Sequence, residues 1–236
     1  MREAGRIVAL TFDELSRVIE PGITTGELNQ LAEDFILARG GRPAFKGLYG
    51  FPASICTSVN EEVVHGIPGL RKLDNGDIIS IDIGVEINGY YGDGAVTFAV
   101  GVIDEEAKRL LQATKEALYA GIAKACGGCR LSDISHAIQT YVERRGYSVV
   151  RDYVGHGIGR SMHEEPQVPN FGKPGRGPRL RNRMTLAIEP MINMGTHEVY
   201  IRADNWTVVT KDGRLSAHYE HTLAITDGEP EILTRV

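Results

Sequence analysis

The run Ile78-Ile79-Ser80-Ile81-Asp82-Ile83-Gly84 alternates apolar with small or polar residues. That period of two predicts a strand with Asp82 facing away from the isoleucines. Asn88-Gly89 follows, a strong two-residue hairpin signal. With the turn there, Ile87 opposes Tyr90 and Asp82 opposes Ala95. Asp93 then lies on the same face as Asp82, as its diagonal neighbour, with β-carbons roughly 7–8 Å apart. Three later stretches carry similar signals. Thr185-Leu186-Ala187-Ile188 reads as a strand ending at Glu189, which Pro190 holds extended. From Glu220 to Ile225, Glu220, Thr222 and Ala224 share one face opposite Leu223 and Ile225. His156 sits in Gly155-His156-Gly157-Ile158-Gly159, where glycines allow close backbone approach or a sharp turn.

Helical periodicity marks four further segments: Ile7 to Ile19, Gly22 to Gly41, Glu105 to Lys124 and Gly128 to Tyr147. The second and fourth repeat one another. A shift of 106 places Gly22 on Gly128, Leu28 on Ile134, Phe35 on Tyr141, Arg39 on Arg145 and Gly40 on Gly146. Both carry an N-cap candidate (Thr24 with Glu27 three later, or Ser132) and a glycine stop. A shift of 107 carries Asp82 onto Glu189. Chance similarity of two amphipathic helices is the plain alternative, but matching caps, stops and downstream acids favour duplication. One domain over 1–236 is expected, with halves at about 1–103 and 104–236.

Asp82, Asp93, His156, Glu189 and Glu220 all lie in apolar or Gly-rich stretches where buried strands or tight turns are expected. Four carboxylates and an imidazole inside a core repel one another unless cations neutralise them. A donor set of mostly hard oxygens with one nitrogen suits a pair of divalent metals better than a Cys-rich zinc site does. Ions about 3.5–4 Å apart are within reach of two carboxylates placed like Asp82 and Asp93.

Composition narrows the class. The chain has 236 residues, a net charge of −5 and a pI near 5.8, which argues against a general nucleic-acid binder. The basic stretch Lys173 to Arg183 holds five Lys or Arg among Pro and Gly and reads as a solvated connector. No apolar run approaches the ~20 residues of a membrane span, and the start, MREAGRIVAL, lacks the apolar core of a signal peptide. Three cysteines make no disulfide framework, so a reducing, cytoplasmic setting is expected. Cys126 and Cys129 fall in a connector without thioredoxin-like or zinc-site context, and two free thiols in a turn are expected.

Several motifs then combine in one order: NEEVVHGIP (60–68), IDIG (81–84) with GDGA (92–95), GHGIGRSMHEEP (155–166), LAIEPM (186–191) and AHYEHT (217–222). Together they closely resemble the type I methionine aminopeptidases, and the likeness runs on to ILT at 232–234. The resemblance implies an α/β (α+β) "pita-bread" fold, two pseudo-symmetric halves with a curved antiparallel sheet covered by helices around a dinuclear metal site. It implies hydrolytic removal of N-terminal methionine from nascent polypeptides and peptides when the second residue is small. Asp82, Asp93, His156, Glu189 and Glu220 match the ligands of two divalent ions (Co, Mn, Fe, Zn or Ni), with Asp93 and Glu220 bridging. Glu189 also matches the general base, and His65 and His163 the two histidines that contact the scissile amide. Phe51, Cys56 and Trp206 match the methionine pocket.

Nascent-chain N-termini are the expected partners, with the ribosome presenting them, no membrane or specific nucleic acid involved, and a monomer in the cytoplasm. Leu48 stands where the family commonly has tyrosine, Asn205 where glycine precedes the tryptophan, and Asn182-Arg183 where glycine precedes Met184. Two other readings share features with this one. A proline-directed aminopeptidase or prolidase uses the same five ligands but usually adds an N-terminal domain. A non-catalytic binding module of the same fold typically loses ligands, and all five are present here.

Overall fold

The computed structural model describes all residues, Met1–Val236. Helix α1, Arg2–Ser16, buries Ala4, Ile7, Val8, Phe12 and Leu15, a three-four spacing that makes one apolar stripe. It begins and ends earlier than the predicted Ile7 to Ile19. After Ser16 the chain turns and packs Val18 and Ile19 on the core from outside the helix. Helix α2, Thr25–Leu37, opens with the predicted cap. The Thr24 hydroxyl accepts from Glu27 N–H at 3.1 Å, and Glu27 accepts from Thr24 N–H at 2.8 Å.

Helix α3 is Glu105–Ile122, capped by Asp104, whose carboxylate accepts from Ala107 N–H at 2.7 Å. Helix α4 is Leu131–Glu143, and its cap differs from expectation. Arg130 holds the N-cap position, Asp133 accepts from its N–H at 2.9 Å, and the Ser132 hydroxyl instead donates to the Arg176 carbonyl at 2.9 Å. The loop 173–183 packs over this helix start and draws the serine away. Helices α2 and α4 span residues offset by 106 at both ends, and α1 and α3 end with the same offset.

Each helix pair covers its own apolar core. Ile7, Leu28, Ile36, Ile79 and Ile81 belong to one, and Leu110, Leu118, Ile134, Leu186 and Leu223 to the other. Beneath them runs a nine-stranded antiparallel sheet. Five adjacent strands form its centre, in the order Ile78–Ile87, Tyr90–Ala99, Glu220–Ala224, Thr185–Ile188 and Gly155–Gly157. The hairpin register is as predicted: Ile87 pairs Tyr90, Asp82 pairs Ala95 and Gly84 pairs Asp93. The halves join where Glu220 pairs Ala95 and His221 pairs Gly94. No helix is long and apolar enough to cross a membrane.

One expectation is overturned. Cys126 and Cys129 form a disulfide, their Cα atoms 5.6 Å apart in the turn between α3 and α4, within bridging range. Only Cys56 is free, so the cysteine count says nothing about compartment.

Candidate active site

Each of the five central strands delivers one of the five predicted metal ligands, Asp82, Asp93, Glu220, Glu189 and His156 in spatial order. Three of the four neighbouring pairs are diagonal, as Asp82 is to Asp93, while the His221–Ile188 pairing puts Glu220 opposite Glu189. Asp93 is diagonal to Glu220 across the Ala95 pairing, and His156, paired with Ala187, is diagonal to Glu189. At the seam between halves the Thr222 hydroxyl accepts from Asp93 N–H at 2.9 Å and donates to Asp93 O at 2.7 Å. That double bond to one side chain pins the backbone that carries Asp93.

Ligand atoms of Asp93, His156 and Glu220 lie within 4.8 Å of one another. His156 Nε2 is 3.6 Å from Asp93 Oδ2 and 3.5 Å from Glu189 Oε1. Its Nδ1 lies 2.8 Å from the Gly157 carbonyl, a contact that places a proton on Nδ1 and leaves the Nε2 lone pair for a metal. Asp82 Oδ1 and Glu220 Oε1 are buried without any hydrogen-bond partner. Without cations the cluster is electrostatically frustrated. Burial and neighbouring carboxylates push Asp82 and Glu220 well above the usual carboxylate range. Burial raises Glu189 to about 8, with Asp93 adding and His156 opposing. Burial works against a charged His156, but Asp93 and Glu189 outweigh it and raise its pKa to about 9. Orphaned carboxylate oxygens, an imidazole Nε2 turned toward them and suppressed ionisation fit divalent ions of the Mn, Fe, Co, Ni or Zn type.

The ligands line a cavity of about 520 Å³. Its wall includes Phe51 and Trp206, edge to face with centroids 5.1 Å apart, together with buried Cys56. His65 and His163 both face the cavity. His65 holds a left-handed backbone (φ 59°) and sits edge-on to Tyr153, with centroids 5.5 Å apart. His163 lies edge-on to His156, with centroids 4.5 Å apart. Burial lowers His65 to about 4, helped by His163, and burial lowers His163 as well, helped by His156. Both are therefore neutral near pH 7.

All the predicted site residues thus meet at one cavity, and the fold adds others. Phe45, Tyr49, Tyr153 and Met191 line it without having been singled out. Leu48 is there too, on the rim beside Tyr49, whose ring stacks on His163. His218, beside Glu189, also lies outside the predicted set. Its signal was present: His218 and Glu220 are two apart, the spacing of one strand face. Glu62 is outside that set as well. It is buried and pairs with Arg71 at 3.0 Å and Arg202 at 2.5 Å, joining the turn that presents His65 to the segment that leads to Trp206.

Comparison with known proteins agrees with this geometry. The profile of metallopeptidase family M24 matches residues 1–227. Methionine aminopeptidase 1 of Bacillus subtilis (strain 168) is 61% identical over 236 residues, covering 100% of this chain and 95% of the relative. The crystal structure of methionine aminopeptidase from Thermotoga maritima superposes with a TM-score of 0.98 at 48% identity, covering 100% of this chain and 95% of that one. The prolidase from Pyrococcus furiosus shares the fold, with a TM-score of 0.79 at 21% identity, but this chain covers only 62% of it. The chain belongs to metallopeptidase family M24, on its type I methionine aminopeptidase branch.

Proposed function

We propose that the chain hydrolyses the first peptide bond of polypeptides and peptides that begin with methionine followed by a small residue. One observation carries this reading: five adjacent strands each deliver a ligand to a cavity that the Phe51–Trp206 pair also lines. Asp82, Asp93, His156, Glu189 and Glu220 would hold two divalent ions, which lower the pKa of water toward ~7 and polarise the scissile carbonyl when bound. Glu189 takes the proton from the attacking water and passes it to the leaving nitrogen. His65 and His163, each neutral with one N–H to give, donate to the scissile amide and to the oxyanion of the tetrahedral intermediate. Phe51, Cys56 and Trp206 surround the thioether, a polarisable group that favours aromatic contacts.

The size limit on the second residue follows from anchoring. With methionine seated and its carbonyl fixed, a bulky second side chain meets the cavity wall before near-attack geometry is reached. Nascent chains leaving the ribosome are the natural source of such N-termini, and the cytoplasm the setting; a monomer suffices because one chain supplies every site residue. A panel of peptides assayed with metal-reconstituted protein tests this reading. Met-Ala-Ser should release methionine, while Met-Lys and Met-Leu peptides stay intact. Cleavage of Xaa-Pro bonds whatever Xaa is, with Met-Ala peptides untouched, would establish a proline-directed enzyme instead. No cleavage of any peptide at full metal occupancy would leave a binding module.

A further inference from the structure

One titratable side chain beside the base takes no part in the roles above. His218 ends the strand Ser216–His218, two residues before Glu220, and is 1% exposed. Neither ring nitrogen has a hydrogen-bond partner. Buried polar atoms are rarely left so, and an exception calls for an explanation. Its Nε2 stands 3.8 Å from Glu189 Oε2, while the other Glu189 oxygen faces His156.

The backbone under this imidazole is held unusually firmly. Thr97 Oγ1 accepts from His218 N–H at 2.9 Å and donates to His218 O at 2.8 Å. It also lies 2.8 Å from Ser80 Oγ, which has a proton to give it. Glu189 is held from its other end, where Asn170 Nδ2 donates to the Glu189 carbonyl at 3.0 Å. A shift of about 1 Å in either side chain closes the remaining gap to hydrogen-bond distance.

We propose that His218 is a positioning residue for Glu189: its Nε2–H donates to Glu189 Oε2 and holds the carboxylate in the orientation that proton transfer requires. The proposal rests on the reading of Glu189 as the base. A ring that only fills space gains nothing from an Nε2–H aimed at a carboxylate, whereas a positioning ring requires that tautomer.

Two measurements test it. In Zn²⁺-loaded protein labelled with ¹⁵N in its histidines, where the bound cations keep Glu189 ionised, long-range ¹H–¹⁵N correlation should place the His218 proton on Nε2. A proton on Nδ1 overturns the proposal, and because the unaltered chain is used the result does not depend on any variant folding. In metal-loaded protein, His218→Ala should lower kcat about 10–100-fold with KM and metal content unchanged, as loss of an orienting partner does. His218→Gln, whose amide can still donate, should recover most of that loss. Wild-type kcat in His218→Ala, or a loss matched by lost metal, overturns the proposal. Glu189→Gln separates the two readings: an active, metal-loaded Glu189→Gln removes the base assignment, while the His218 proton position is read independently.

Discussion

His163 lies against the ligand His156 but is itself placed to touch substrate, its ring at the cavity mouth between His156 and Tyr49. Removing an oxyanion donor costs about 10²–10³ in kcat. His163→Ala should therefore fall by that factor in steady-state kinetics while metal analysis stays unchanged; loss of metal with proportional loss of rate would reassign the residue to metal binding. Single residues also explain where this chain departs from its family's glycines. Asn205 and Arg183 have φ of 63° and 73°, the left-handed region where glycine is cheapest. Asparagine is among the side chains best tolerated there. Nothing in the structure explains the arginine.

At the scale of elements, the Gly155–Gly157 strand is wedged between two partners that leave no room for a side chain. A Cβ on Gly157 would lie 2.3 Å from the Glu165 carbonyl oxygen, and one on Gly155 would lie 2.4 Å from that of Ala187. Both contacts are with backbone, so neither can be relieved by a rotamer. Gly157→Ala should push the strand off its neighbours and carry His156 with it. The expected cost is about 1–3 kcal/mol of stability from overpacking. Activity should fall about 10²-fold, because a displacement on the order of 1 Å is enough to spoil a reacting geometry. Thermal unfolding and kinetics check both, and native values of each would mean that the strand can yield without moving the ligand.

For the whole molecule, the site's acids set how stability follows pH when metal is stripped. Glu189 is raised to about 8 in the fold against 4.5 unfolded, and His156 to about 9 against 6.5. The folded state then binds more protons than the unfolded state, so stability falls as pH rises through that range. Buried His65, His218 and His221, lowered to about 4, 3 and 4, act in the opposite sense but only below about 6.5. Between pH 6.5 and 8 the first effect, to which raised Asp82 and Glu220 add, outweighs the one opposing group, the Met1 amine, which burial lowers from 8.0. Metal-free protein should lose Tm steadily across that window, and adding Mn²⁺ or Co²⁺ should raise Tm more at pH 8 than at pH 6.5. A flat or rising metal-free profile would contradict the buried charge cluster.

What the sequence by itself determined is what local physics encodes. The period-two run around Asp82 and the Asn88-Gly89 turn set the hairpin register, because a short turn leaves no freedom to slip. The caps and glycine stops of α2 and the offset between α2 and α4 were legible for the same reason. The five ligands were legible as acids and a histidine in apolar or Gly-rich strands, whereas His65, His163, Phe51, Cys56 and Trp206 came from motif resemblance, which carries chemistry without geometry. Tertiary structure alone decided the order of the five central strands and the pairing of Glu220 with Ala95 across the two halves. It also decided that Phe45, Tyr153 and Met191 line the cavity, that His218 faces Glu189, and that Cys126 bonds to Cys129. Periodicity says which face of a strand is buried but not which strand lies beside it. That choice depends on which distant edges bury the most apolar surface together, and it is made only when the whole chain closes.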